Sequence, residues 1–454
     1  MKLTLEGLRE RSAWEQAGIA LPAFDAAALA AHTRQNPGWV HFGIGNIFRI
    51  FLGGIAQQLI SRGSLSYGIT CVESFDFEVV DKIYRPFDNL ALAVTLRSDG
   101  SRRQEVLGSL CEAVAARGDE ASRARLKEIF TAPGLQMVTF TITEKGYALK
   151  DPAGAYLPYI RKDLDGGPAQ ARTAMGLVCA LMWERFQAGA RPLALVSCDN
   201  VSQNGRKLRE SVLEVARVWQ ERGAVSADFV SYLGDERQVS FPWTMIDKIT
   251  PRPAEQVGKD LRALGVEDME VVVTSCHTYI APFVNAEEPG YLVIEDNFPN
   301  GRPPLEQAGV FMADRNTVNL SERMKVTVCL NPIHTALCTY DCLLGYRLFA
   351  DGMHDHELDR LARRLGYDEG LPVVEDPGIL SPRAFLDELM TERFPNAYMG
   401  DTSARIAVDI SQMVGIRFGH TIGEYVKRRG SASALVAVPL AIAGWLRYLL
   451  AIDD

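Results

Sequence analysis

The first 35 or so residues have helical or irregular composition, and the pattern then sharpens at GWVHFGIGNIFRIFLGGIAQQLI, residues 38–60. A short apolar strand gives way to a helical apolar period through a Gly-rich turn, which is how a βαβ unit begins. Further strand-like runs follow at SYGITCVE (66–73), LQMVTFTIT (135–143), PLALVSC (192–198) and EVVVTS (270–275), mostly separated by segments of helical composition. Alternating strands and helices predict a parallel sheet covered on both faces, with ligands beyond the carboxyl ends of the strands. After a Gly/Pro-rich connection the pattern becomes chiefly helical. The expectation is an α/β protein: a Rossmann-type, doubly wound parallel sheet over 1–280, then a mainly α-helical domain over 281–454. No internal repeat or low-complexity tract interrupts this plan.

Composition narrows the class. With 454 residues, 47% apolar and 23% charged, the chain is a globular protein large enough for two domains without disulfides or structural metals. Its 48 basic and 57 acidic residues leave a net charge of −9, so nothing draws it to phosphate backbones or anionic membranes, and neither nucleic acid nor membrane is expected as partner. The eight cysteines are scattered singly, without a Cys-x-x-Cys pair, and read as reduced and mostly buried. The amino terminus carries no signal-like apolar stretch, so a cytoplasmic location is expected. SASALVAVPLAIAGWL (431–446) is 16 residues long, contains Pro439 and is closed by Arg447, which fits a buried helix pair better than a membrane span of about 20 residues.

Gly43-Ile44-Gly45-Asn46-Ile47-Phe48 supplies the first two glycines of a dinucleotide fingerprint, with Phe48 in place of the third. A tight turn there lets backbone amides and a helix start meet a pyrophosphate. Glu73 or Asp76, near the end of the second strand, is placed to accept hydrogen bonds from a ribose and to disfavour a 2′-phosphate, so NAD is expected over NADP. Asn200, in Ser197-Cys198-Asp199-Asn200 at another strand end, can aim its amide at a developing negative charge, although Asp and Asn also serve ordinary turn chemistry. Lys325 lies in the apolar stretch MKVTVCL, where desolvation lowers a lysine pKa toward a general base's range; the alternative is a lysine snorkelling to solvent. In Asn331-Pro332-Ile333-His334, Asn331 is expected to cap a helix, Pro332 to fill its first turn, and His334 to stay neutral near the positive end of the dipole.

Together with FPWTMIDKITP (241–251) and VIEDNFPNGRPP (293–304), these motifs make the chain resemble the mannitol dehydrogenase family of long-chain polyol and sugar-acid dehydrogenases from about residue 36 onward. The resemblance implies zinc-independent hydride transfer between NAD(P) and a secondary alcohol, with two domains around a cleft and no metal. It makes Lys325 the general base, Asn200 and Asn331 the amides that stabilise the alkoxide, and His334 the ligand of a substrate hydroxyl. Glu322 is implied on a proton path and Asp247 in the family signature, while Glu144 and Lys145 are implied beside the nicotinamide ribose or substrate.

Three positions depart from the family pattern. Five residues, Val326–Leu330, separate the lysine from the asparagine where the polyol enzymes have four; Lys248 replaces an arginine; and Gln412-Met413 stands where relatives carry a substrate-contacting lysine. The wording CLNPIHTAL and the inserted residue resemble the mannonate branch, which implies interconversion of D-mannonate and D-fructuronate. A carboxylate substrate needs a cation, for which Lys145, Arg393, Arg405 and Arg417 are candidates. The alternatives are a mannitol or arabinitol 2-dehydrogenase and, from another class, a nucleotide-binding sensor without turnover. The sequence leaves the oligomeric state open.

Overall fold

The computed structural model describes residues 1–451, the side chain of residue 409 excepted. Six strands form the central sheet: β1 (Trp39–Phe42), β2 (Ile69–Glu73), β3 (Leu110–Ala115), β4 (Met137–Phe140), β5 (Leu193–Ser197) and β6 (Val239–Ser240). They lie side by side in the order β3-β2-β1-β4-β5-β6, and every neighbouring pair is parallel. The order reverses between β1 and β4, the switch point beyond whose carboxyl ends such sheets bind ligands.

Side-chain alternation along β1 explains the two-sided cover. Val40 and Phe42 join one buried cluster with Phe130, Val178, Val212 and Trp219, whereas Trp39 joins another with Phe48, Ile55 and Leu59. The first cluster is built on helices α2 (Glu120–Thr131), α3 (Ala174–Gln187) and α4 (Asn204–Glu221), and the second on α1 (Gly53–Ser61). Asp119 and Thr173 accept the amides of Ser122 and Gly176, which sets the starts of α2 and α3.

The sequence pattern missed several strands. Ala91–Leu96 and Arg102–Leu107 lie in a four-stranded sheet with Ile19–Ala20 and Phe283–Glu287. Strand β7 (Thr244–Asp247) pairs antiparallel with β8 (Tyr291–Glu295), which pairs parallel with β9 (Phe311–Ala313). The chain beyond residue 280 is therefore not yet helical, because short apolar runs such as YLVIE are buried as strands between Gly/Pro-rich connections. EVVVTS contributes only Val272–Val273, paired with Tyr279–Ile280 in a hairpin.

Two compact units result. The first contains Met1–Thr95, Arg103–Ala286 and Gly290–Arg315, and the second contains Leu96–Arg102, Glu287–Pro289 and the chain from Asn316 on. Apart from Glu287–Pro289, the chain from 281 to Arg315 thus stays with the first unit. The second is mainly helical. Of the apolar run at 431–446, only residues 437–446 are helical, in one helix, α8 (Ala437–Leu449), rather than a pair, with Pro439 in its first turn where a missing amide costs nothing. Glu369 accepts the amides of Val436, Ala437 and Val438 at 2.7, 2.7 and 2.9 Å and so caps that helix from a distant segment. Among the described residues, no helix is long and apolar enough to cross a membrane. None of the eight cysteines is joined in a disulfide; Cys276 is exposed and Cys342 half-buried.

Candidate active site

The glycine turn follows β1 directly. Gly43 has φ +86°, and a Cβ there would stand 2.1 Å from the Thr141 carbonyl oxygen, so only glycine fits. At Gly45 a Cβ would meet nothing within 4 Å, which leaves open space beside the backbone for a ligand. Beneath the turn lies His41, whose Nε2 contacts the Gly43 carbonyl at 3.2 Å and Thr141 Oγ1 at 2.9 Å. Burial pushes the His41 pKa down to about 3, so the ring is a neutral hydrogen-bonding post. Phe48 is fully buried and stacks on His41 at 3.8 Å. The residue in the third-glycine position thus supports the turn from the core side. Ile47 is partly buried against the same core. Asn46 donates to the Tyr279 carbonyl at 3.2 Å and accepts from Arg49 at 2.7 Å, and Arg49 donates to the Ala281 carbonyl at 2.7 Å. These two side chains fasten the 272–280 hairpin to the turn.

The two acids at and just beyond the end of β2 differ in their employment. Glu73 accepts the amides of Phe75 (2.9 Å), Asp76 (3.3 Å) and Ile44 (3.4 Å), and burial raises its pKa against those donors. Asp76 accepts from Thr274 Oγ1 at 2.6 Å, while its buried Oδ1 has no partner. A ribose hydroxyl is the kind of donor that this oxygen lacks. The glycine turn, the open face at Gly45 and these acids fit a dinucleotide.

The SCDN segment ends β5, and here the sequence underrated Asp199. Its carboxylate accepts the amides of Ile142 and Thr143, each at 2.9 Å, and the Tyr147 hydroxyl at 2.6 Å. Burial raises its pKa despite these donors. Thr143 sits at φ +63°, and the carboxylate locks that strained turn. Asn204 donates to the Asp199 carbonyl at 3.0 Å and to Thr244 Oγ1 at 2.9 Å, so β7 is tied to the same loop. Asn200 is exposed beside this network, and Asp247 is buried at the end of β7. Lys248 lies 5.7 Å from the Phe51 ring centroid. Glu144 and Lys145 are exposed, and Glu144 pairs with Lys207.

From Asn316 on in the second unit, one helical path runs along α5 (Arg315–Met324) through a wide turn, Lys325–Cys329, into α6 (Asn331–Leu344). The wide turn is closed by the Leu330 amide on the Lys325 carbonyl at 3.1 Å, and Leu330 keeps helical angles (φ −102°, ψ −62°). Asn331 is thus the first residue of α6 and makes no cap, contrary to the sequence expectation, because the helix does not begin there. Lys325 is 2% exposed, which rules out the snorkelling alternative, and Glu322 is half-buried three residues before it.

His334 lies between Phe349, edge-on at 4.4 Å, and Phe394, stacked at 5.7 Å. Its pKa is pushed down to about 4, first by burial and then by Arg417, Arg405 and Arg393, with Asp401 opposing. The neutral ring therefore owes its state to desolvation and three guanidinium groups, since a continuous helix presents no bare N-terminal dipole there.

Those arginines were candidates for a substrate carboxylate, and the structure separates them. Arg393 is fully buried in a two-pronged pair with Glu287 at 2.7 and 2.9 Å, so its fork is already committed. Arg405 pairs with Asp401 and is 60% exposed. Arg417, half-buried on α7 (Ile410–Arg429), donates to Thr335 Oγ1, next to His334.

A parallel sheet in the order 3-2-1-4-5-6 with this glycine turn defines a Rossmann-type dinucleotide-binding protein carrying a helical second unit. The chain belongs to the mannitol dehydrogenase family: the mannitol dehydrogenase Rossmann domain matches residues 37–307 and the mannitol dehydrogenase C-terminal domain matches 318–454. It is 49% identical to a D-mannonate oxidoreductase of Thermotoga maritima over all of this chain and 84% of that protein. Identity to the Escherichia coli D-mannonate oxidoreductase is 28%, covering 96% of this chain and 83% of the other. Among solved structures, a Pseudomonas fluorescens mannitol 2-dehydrogenase in ternary complex with NAD and D-mannitol superposes with TM-score 0.78 at 25% identity, over 100% of this chain and 85% of that one.

Proposed function

We propose that the chain is an NAD-dependent oxidoreductase interconverting the secondary alcohol of a sugar acid with its ketone, with D-mannonate and D-fructuronate as the pair. The observation that carries the substrate is the full-length 49% identity to a D-mannonate oxidoreductase; the glycine turn and the acid loop after β2 support the cofactor. When bound, NAD supplies the hydride acceptor in oxidation and the donor in reduction.

The chain's own residues handle the proton and the charge. Lys325, buried in its wide turn, takes the hydroxyl proton, and Glu322 relays it toward water. The amides of Asn200 and Asn331 stabilise the negative oxygen, and neutral His334 holds a neighbouring hydroxyl. Arg417 receives the carboxylate, because it lies beside the His334 turn and is less exposed than Arg405 while Arg393 is committed to Glu287. No step is assigned to a metal ion.

The test is NADH oxidation by purified protein with D-fructuronate, D-tagaturonate and D-fructose in parallel, with and without chelator. Fast turnover confined to D-fructuronate and insensitive to chelator is the expected result. Turnover with fructose alone moves the protein to polyol metabolism, and silence with all three despite NADH binding leaves another substrate or the sensor reading.

A further inference from the structure

Phe75 is 75% exposed, although it sits in the loop that directly follows β2. Its neighbours behave otherwise: Phe77, two residues on, packs against the core with Arg117 over its ring, and Glu73 and Asp76 are buried. The exposure is not a matter of slack backbone. Glu73 holds the Phe75 amide at 2.9 Å and the Asp76 amide at 3.3 Å, Asp76 is tied to Thr274 at 2.6 Å, and Ser275 is tied to Glu78. The loop is pinned at several points, and one apolar ring is left exposed.

Position gives that ring a use. In this fold the pyrophosphate lies on the glycine turn after β1 and the adenosine ribose at the acid end of β2, so the base extends over the loop that follows. Glu73 links the two places, because it also accepts the Ile44 amide of the glycine turn. An aromatic face there offers a purine a stacking partner at small entropic cost, since the ring has two side-chain torsions and a fixed backbone.

We infer that Phe75 is the adenine-stacking residue of the cofactor site, a role that rests on the dinucleotide-binding reading above. The ring contributes affinity for the adenosine half of the cofactor and none for the nicotinamide half. The chemistry at the nicotinamide is untouched by it.

The test measures binding rather than turnover. Wild-type protein, Phe75→Ala and Phe75→Trp are titrated with NADH by fluorescence, then with AMP as competitor and with reduced nicotinamide mononucleotide, which has no adenine. The expected result is a loss of roughly tenfold or more in affinity for NADH and AMP in Phe75→Ala. Affinity for the mononucleotide stays the same, and Phe75→Trp restores NADH and AMP binding. Wild-type binding matched by an equal Phe75→Ala affinity for NADH and AMP overturns the inference alone. Equal weakening of the mononucleotide also overturns it, because the damage is then not confined to the adenine. Wild-type protein that binds neither NADH nor AMP overturns the nucleotide reading and this inference with it.

Discussion

The Leu330 amide donates to the carbonyl of Lys325, five residues back, at 3.1 Å. That bond absorbs the extra residue between Lys325 and Asn331. In a regular helix each residue turns about 100°, so a lysine and asparagine five steps apart differ by about 500°, and a sixth step swings the asparagine by a further 100° or so. Five steps through the wide turn at roughly 80° plus one regular step again make about 500°. The wide turn therefore keeps both side chains in the mutual orientation that a one-residue-shorter helix would give.

A deletion tests this account directly. Removing Val326 should let the segment close as a regular helix, with Lys325 and the asparagine still in register and activity within about tenfold of wild type. Inserting one alanine after Val326 adds about 100° with no second bulge to absorb it and should abolish turnover. Steady-state NADH oxidation of both variants, with circular dichroism as the check on folding, decides the point. An inactive, folded deletion variant would sink it.

Lys325→Met addresses the base itself. Methionine keeps the apolar stem in a pocket where Lys325 is only 2% exposed, and it removes the proton acceptor. Turnover should fall by about 10²–10⁴, the usual contribution of a positioned acid or base, while NADH affinity measured by fluorescence stays unchanged. Equal turnover would remove the lysine from the chemistry.

Sequence reasoning could reach some of these residues because their signal is local. Gly43 declares itself through the strand before it and the helix after it. Arg393 gives no such signal, since its partner Glu287 stands 106 positions away and only folding brings the two together. Asn331-Pro332 reads as a helix start because that dipeptide is what a start looks like; a wide turn upstream produces the same local demand inside a longer helical path. Asp199 was underrated for a related reason, since its three contacts all reach back to residues 142–147.

Arg417 carries two linked predictions. As the proposed carboxylate partner, its replacement by alanine should raise KM for D-fructuronate by roughly ten- to a hundredfold, as expected for a charge-assisted hydrogen bond, and leave any activity on fructose nearly unchanged. Its positive charge also helps to hold the His334 pKa near 4. Removing a cation favours imidazolium, so Arg417→Ala should raise the His334 pKa, read from the pH dependence of its ring proton shifts in NMR. In the wild type that titration falls below pH 5, so His334 ionisation adds no limb to the pH–rate profile above that pH. A His334 titration near pH 6.5 in wild-type protein would contradict the structure.

Asp341 gives the stability of the protein a pH dependence of unusual sign. Its carboxyl is buried, accepts from Ser403 Oγ at 2.6 Å with one oxygen, and leaves Oδ1 without a partner. Burial, with Asp351 and Asp355 nearby, raises its pKa from 3.8 to about 7 against the pull of the Ser403 hydroxyl. The folded chain therefore keeps this proton up to about pH 7, whereas the unfolded chain releases it near pH 4. Between those values the folded state binds more protons than the unfolded one, so this group's contribution to stability falls as pH rises, and it levels off above about pH 7. Most paired carboxylates act in the opposite sense. Asp341→Asn keeps an acceptor for Ser403 and cannot ionise, so the melting temperature of the variant relative to wild type should rise by a few degrees between pH 5 and pH 8. A difference that stays constant over that range would show that Asp341 is ionised throughout, and its buried Oδ1 would then need a donor that the fold does not supply.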